Sequence, residues 1–339
     1  MVASRPAGNR PTLRQVAALS GVSLKTASRA LNGEQYVSAA TADKVHAAAA
    51  QLGFRRNAIA RDLRAGARSS LVGLIISDLS NPFFSRVARG AERRLRAAGL
   101  QLISASSNED PTLEQTLITE MFERRVSALL IVTSADSHAY LDAERRLGLP
   151  VVFLDREPAD IVADAVVLDN DGGMRRAVAH LLSRGHERVG LVGDLARLST
   201  QRERVAAFES ALSAAGVPDW HRYVRADCHD AATAERAVRS VLAESPPPTA
   251  LITTNNLITT GALRALRDTP PADRPALVGF DDFDLADVLG VTVVAHDPER
   301  MGELGAAQIL ARLNGTDGPA QRLVLPTELI ERGSAEARR

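Results

Sequence analysis

Apolar positions change their period once along this chain of 339 residues, close to Ser70. Before that point they recur at helical spacing. Leu13, Val16 and Ala17 fall on one face of a short helix that Thr12 can cap and Gly21 stops. Ser23 can cap a second helix, SLKTASRAL, which ends at Asn32 and Gly33. Ser38 can cap a third, AATADKVHAAAAQL, stopped by Gly53. A weaker helical stretch covers residues 57–65, and GARSS after it reads as linker. Residues 1–11, rich in Pro, Gly, Asn and Arg, read as a disordered lead-in.

Beyond Ser70 come nine short runs rich in β-branched residues: LVGLII, LQLISAS, ALLIVT, PVVFLD, AVVLD, RVGLVG, TALITT, PALVGF and VTVVA. Amphipathic segments such as FFSRVARGAERRLRAAG and ERVAAFESALSAAG separate them. Apolar runs without alternation, parted by helices, predict parallel strands covered on both faces. The architecture expected is doubly wound α/β. Nine strands exceed one comfortable sheet, so two lobes are expected, about 70–168 and 169–295, with the C-terminal segment crossing between them. Ligands in such folds bind beyond the carboxyl ends of the strands. The whole chain then divides into a lead-in, a helical head (12–56), a hinge and linker (57–69) and a two-lobed body (70–339).

A helix, a glycine turn and a second capped helix make a helix-turn-helix. Val16, Ala17, Val22 and Ala27 are small or β-branched and let two short helices cross closely. Leu24 and Lys25 stand at the start of the second helix, where side chains reach base edges. Arg29, one turn on, can donate to guanine or grip phosphate. The hydroxyls of Thr12, Ser23, Thr26 and Ser28 suit phosphate oxygens. Charge agrees. Residues 1–68 hold eleven Lys and Arg against three acids, a net of +8, while the remainder holds 30 against 38, a net of −8. A basic segment set off in this way points to a polyanion as partner.

In the body, polar side chains follow strands at Asp78, Asp155, Asn255 and Asp281, and Arg204 follows the loop LSTQ. Carboxylates accept from sugar hydroxyls, Arg and Asn donate to them, and Phe83 can stack on a ring. The same residues have a plainer use, because Asp at a strand end often caps the next helix. Asp164, Asp169 and Asp171 read as turn and cap residues rather than metal ligands. The single cysteine, Cys228, excludes an internal disulfide framework and has no base near it in sequence. VGLVGDL and DNDGG match neither a dinucleotide-binding nor a phosphate-loop pattern. Neither an enzyme nor a bound cofactor or metal is expected. The polar, basic N-terminus and the absence of a long apolar run predict a cytoplasmic protein without a membrane span.

Taken in order, TLRQVAALSGVSLKTASRALNG, VSAATADKV, LGFRRNAIARDLRAG, LVGLIISDLSNPFF, LDREP, VLDNDGG, HLLSRGHERVGLVG, ERVAAF, TALITTNN and VGFDD resemble the LacI/GalR family of bacterial transcriptional regulators over nearly the whole chain. The resemblance implies an all-α helix-turn-helix head joined to a two-lobed, periplasmic-binding-protein-like α/β core. It implies a homodimeric repressor whose grip on a pseudo-palindromic double-stranded operator is controlled by a small molecule, a sugar or related polyol. Leu24, Lys25 and Arg29 would read bases, and Asn32, Asn57 and Arg61 would complete the DNA-contacting set. Residues 57–65 would form a hinge helix on the operator, with Leu63 wedged into the minor groove. Asp78, Phe83, Asp155, Arg204, Asn255 and Asp281 match positions that contact the effector. The chain departs from the usual pattern at Gln15, Phe54, Arg56 and Ala207, where Asp, Tyr, Pro and Gly are common. Two alternatives remain: the same DNA-binding role with a vestigial cleft or a protein coregulator, and a sugar-binding transport protein. The latter would need a signal peptide and would have no use for residues 12–65.

Overall fold

The computed structural model describes residues 11–34, 36–54 and 69–336, in two compact units that divide between Ser69 and Ser70. The expectations for residues 1–10, for Arg56 and for the hinge segment with Asn57, Arg61 and Leu63 lie outside the described residues.

The head contains α1 (Leu13–Ser20), α2 (Leu24–Asn32) and α3 (Ala39–Leu52). Each begins on a hydroxyl cap, at Thr12, Ser23 and Ser38, and ends on a left-handed glycine, at Gly21, Gly33 and Gly53. Gln15, an unusual residue for the family, closes a capping box. Its backbone N–H donates to Thr12 Oγ1 at 3.4 Å and its Oε1 accepts from the Thr12 N–H at 2.8 Å. The core is built from Val16, Ala17, Ala27, Ala30, Val45, Ala48 and Ala49. Such small side chains let three short helices pack closely, at the cost of little apolar area.

The body holds two six-stranded sheets. The first runs in the order β11-β5-β4-β3-β1-β2, from β1 (Leu71–Ile76), β2 (Gln101–Ser106), β3 (Ala128–Ile131), β4 (Val151–Asp155), β5 (Asp164–Leu168) and β11 (Arg322–Leu325). The second runs β12-β10-β9-β8-β6-β7, from β6 (Val189–Val192), β7 (Val224–Arg225), β8 (Ala250–Thr253), β9 (Ala276–Phe280), β10 (Thr292–Ala295) and β12 (Glu328–Ile330). Helices α4 (Pro82–Ala97), α5 (Pro111–Glu123) and α6 (Asp142–Arg146) belong to the first lobe. Helices α7 (Asn170–Ser183), α8 (Ser199–Ala214), α9 (Ala231–Leu242) and α10 (Asn256–Leu266) belong to the second. Helix α11 (Pro298–Leu313) returns to the first and packs along α4.

Neighbouring residues on one strand feed opposite faces. Leu74, Leu130 and Leu154 enter one apolar cluster, and Ile75, Leu129 and Phe153 enter another. This is why the runs show no polar alternation. The nine runs fall on nine strands; β7, β11 and β12 had no such signal, being edge strands of two to four residues whose side chains, Leu325 apart, are exposed or half-buried. One pairing departs from the all-parallel expectation, since β12 runs antiparallel to β10.

The chain passes between the lobes three times, after β5, β10 and β11, and the crossings lie side by side. The Asp169 N–H donates to the Leu325 carbonyl at 2.9 Å, and Ala295 pairs with Glu328. Where α4 and α11 cross, a Cβ on Gly90 would overlap the Glu299 carbonyl oxygen, and one on Gly302 that of Val87. Only glycine permits this approach.

Candidate functional site

In the head, Leu24 is 46% exposed and Lys25 is exposed beside it, both just past the Ser23 cap. Ser23 and Thr26 are less available than the sequence suggested. The Thr26 N–H donates to Ser23 Oγ at 3.1 Å, and the two hydroxyls bond each other at 2.8 Å. Thr12 is likewise occupied in its capping box, while Ser28 is half-buried. Arg29 carries an unforeseen partner: Glu34 lies 3.4 Å from its Nε and also accepts from Asn32 Nδ2 at 3.0 Å. An acid two residues past the helix thus holds two of the residues expected to contact DNA.

In the body, strand ends from both lobes surround one solvent-open cleft. All six candidates taken from the sequence, Asp78, Phe83, Asp155, Arg204, Asn255 and Asp281, line it. They do different things there. Asn255 Oδ1 caps α10 through the Ile258 N–H at 2.8 Å, and its Nδ2 donates to Asp194 at 2.8 Å. Asp78 accepts from the N–H and hydroxyl of Ser80 at 2.7 and 2.8 Å. Asn255 thus fills the plain capping role while walling the cleft, whereas Asp78 braces the turn before α4, whose cap is Asn81. Arg204 lies in the second turn of α8, because Ser199, Thr200 and Gln201 of the expected loop already belong to the helix. Its guanidinium sits 3.8 Å over the Phe280 ring, donates from Nε to Asn170 at 2.9 Å and also donates to the Thr254 carbonyl. Phe83 is buried edge-on against Phe84 and His296, with ring centroids 4.8 and 5.4 Å away.

Asp155 and Asp281 occupy left-handed backbone, φ 65° and 69°, at the ends of β4 and β9. Asp tolerates this region better than most residues, and strain of this kind concentrates at ligand sites. Burial pushes the Asp155 carboxyl up, and Asp281 adds to the rise against the pull of Arg156 and Arg204. Burial would raise Asp281 too, but the hydrogen bond from His296 Nε2 at 2.9 Å and the nearby Arg204 hold it below the ordinary value.

The cleft also contains Arg156, which follows Asp155 at the end of β4, and three titratable residues the sequence did not single out, Glu109, Asp194 and His229. Arg156 donates bidentately to Glu109, both bonds 2.8 Å, and to the Thr133 carbonyl at 2.8 Å. Despite its burial, Glu109 is held below the ordinary glutamate range by that guanidinium. His229 meets Asp194 at 3.1 Å, a hydrogen bond that raises the imidazole against its desolvation. Glu109 and Asp194 lie in the loops just after β2 and β6, so the strand-end rule, extended by two or three residues, would have found them. His229 follows β7, a strand too short to see.

A helix-turn-helix head joined to a two-lobed body with a polar cleft defines a DNA-binding regulator with a ligand-binding core. Residues 12–57 match the model of bacterial regulatory proteins of the lacI family, and residues 69–272 match that of periplasmic binding proteins and the sugar binding domain of the LacI family. The chain is 33% identical over 340 residues to the HTH-type transcriptional regulator PtxS of Pseudomonas aeruginosa, covering 98% of each. It is 28% identical over 332 residues to the ribose operon repressor of Escherichia coli K12, covering 96% of this chain and 99% of that one. Its fold matches the Lac repressor dimer bound to operator with a TM-score of 0.82 at 24% identity, covering 97% of this chain and all of that one. The chain belongs to the LacI family of transcriptional regulators. Among the described residues no helix is long and apolar enough to cross a membrane.

Proposed function

We propose that this protein is a cytoplasmic repressor that binds a pseudo-palindromic operator as a homodimer and is controlled by a neutral sugar or polyol bound between its lobes. The observation carrying the reading is the convergence of six sequence candidates, from strand ends and helices of both lobes, on one cleft. Its basic side chains come already matched: Arg156 by Glu109, His229 by Asp194, and Arg204 by Asn170 and Thr254 with Asp281 4.0 Å away. Asp155, by contrast, receives no hydrogen bond among the described residues. Spare acceptor capacity of this kind suits hydroxyl donors and gives an added phosphate no unmatched cation. Repression is the mode named for the Escherichia coli relative. On the DNA side, Leu24, Lys25 and Arg29 are the candidate base readers, and a two-fold dimer would present two such helices to two half-sites. Ligand then shifts operator affinity by favouring one arrangement of the lobes.

The test combines a gel shift on the DNA upstream of the protein's own gene with thermal-shift screening of neutral and phosphorylated sugars. Binding should weaken steeply with salt, because a basic head releases counterions, and D-ribose or another neutral sugar should raise Tm more than its phosphate ester. A flat salt dependence overturns operator binding. Operator binding with no shift from any sugar would favour a vestigial cleft or a protein coregulator.

A further inference from the structure

Away from the chain crossings, one arginine reaches from the second lobe into the first. Arg197 stands in the loop between β6 and α8. Its Nη1 donates to the Ser134 carbonyl at 2.8 Å, and its Nη2 donates to the Glu109 carbonyl, with the Glu109 carboxylate 3.8 Å off. Both ends of this bridge are held. On the second lobe, the Ala196 N–H donates to Asp227 Oδ1 at 2.9 Å, the Leu198 N–H donates to the Leu195 carbonyl at 3.0 Å, and Arg202 donates to the Arg197 carbonyl.

On the first lobe the acceptors are braced from beneath. The Ser134 N–H donates to the carboxylate of Glu114, whose other oxygen meets His138 Nε2 at 3.2 Å and accepts from Thr133 Oγ1 at 3.3 Å. Glu114 and His138 are fully buried, and the His138 N–H is held by Asp160 at 2.8 Å. Glu109, the other acceptor, is fixed by its bidentate bond to Arg156. A buried carboxylate and imidazole beneath a surface loop are costly to retain unless the loop must keep one shape.

We propose that Arg197 is an interlobe latch that holds the cleft closed before any effector enters, and that Glu114 and His138 are positioning residues that aim its Ser134 acceptor. The inference rests on the effector reading for its purpose, since a latch lowers what a ligand must supply to close the lobes. The half-exposed guanidinium keeps the latch weak enough to open: its side chain is 36% accessible, and such contacts are screened by solvent.

The test is hydrogen exchange on the full chain without DNA or sugar. In Arg197→Met, amides of residues 107–110 and 132–138 should exchange about tenfold faster at unchanged Tm, and Arg197→Lys, which keeps one cationic donor, should fall between. In a His138→Gln background the Arg197→Met increment should shrink below about twofold, because the two act in series. Unchanged exchange in Arg197→Met, or acceleration spread over both lobes, overturns the latch. Full additivity with His138→Gln overturns the positioning role. Because the sample holds no DNA or effector, either failure leaves the regulator reading standing, and loss of operator binding would leave the latch standing.

Discussion

Asp155 and Asp281 are the same residue type at equivalent places in two similar lobes, each buried, left-handed and at the carboxyl end of a strand. Their chemistry nevertheless diverges. Asp281 is held below its ordinary value by His296, which follows β10 at the crossing into α11, and by Arg204 from α8. Asp155 has Arg156 Nε at 3.5 Å, but that guanidinium is committed to Glu109, and its carboxyl is driven up. Position in the fold therefore chooses which residue lines the cleft, while its neighbours choose what it can do there. One aspartate is a finished ion pair; the other is an acceptor kept in want of a donor.

The strongest way to break this contrast is Asp281→Ala, which strands Arg204 and His296 in a buried site. Urea unfolding should show a loss of about 3–5 kcal/mol; a loss below about 1 kcal/mol would mean the pair is not the anchor described. A smaller effect of opposite sign is expected for Asp155→Asn. An acid raised in the folded state favours folding below its unfolded value, 3.8, and loses that contribution as pH climbs through the folded value. The substitution should thus stabilise at about pH 8, with a gain that shrinks toward about pH 4. An equal difference at both pH values would overturn the asymmetry. The smallest effect belongs to an acid with exposed partners. Glu34→Gln should free Arg29 and tighten DNA about two- to threefold in a gel shift, in keeping with an ion pair whose partners are 42% and 41% exposed. Weaker binding would show that Glu34 positions Arg29 rather than competing with DNA for it.

Much of this molecule was legible because its signals are local. A hydroxyl before each head helix and a glycine after it marked α1 to α3, and doubly covered strands marked themselves by unbroken apolar runs. The six cleft residues followed from the strand-end rule joined to family resemblance. What escaped depended on distance in sequence. Nothing around Arg322–Leu325 says that it will pair with Asp164–Leu168, because the partner strand supplies the order and the segment itself stays mostly exposed. The mate of Arg156 lies 47 positions away in Glu109, and that of Asp281 lies 15 away in His296. Gln15 shows the converse: a departure from the family pattern that local capping geometry accounts for.

The crossing of α4 and α11 bears on how this chain is made. The first lobe begins at Leu71 but takes its edge strand β11 and its glycine-notched helix α11 from residues beyond 297. On the ribosome it is therefore the first lobe to emerge, yet it is completed only after five of the second lobe's six strands have been made. Until α11 and β11 arrive, the Gly90 face of α4 and the outer edge of β5 have no cover, whereas most of the second lobe's sheet is already available to pair. A chain truncated after Leu168 would accordingly be an unfinished lobe rather than an isolated domain.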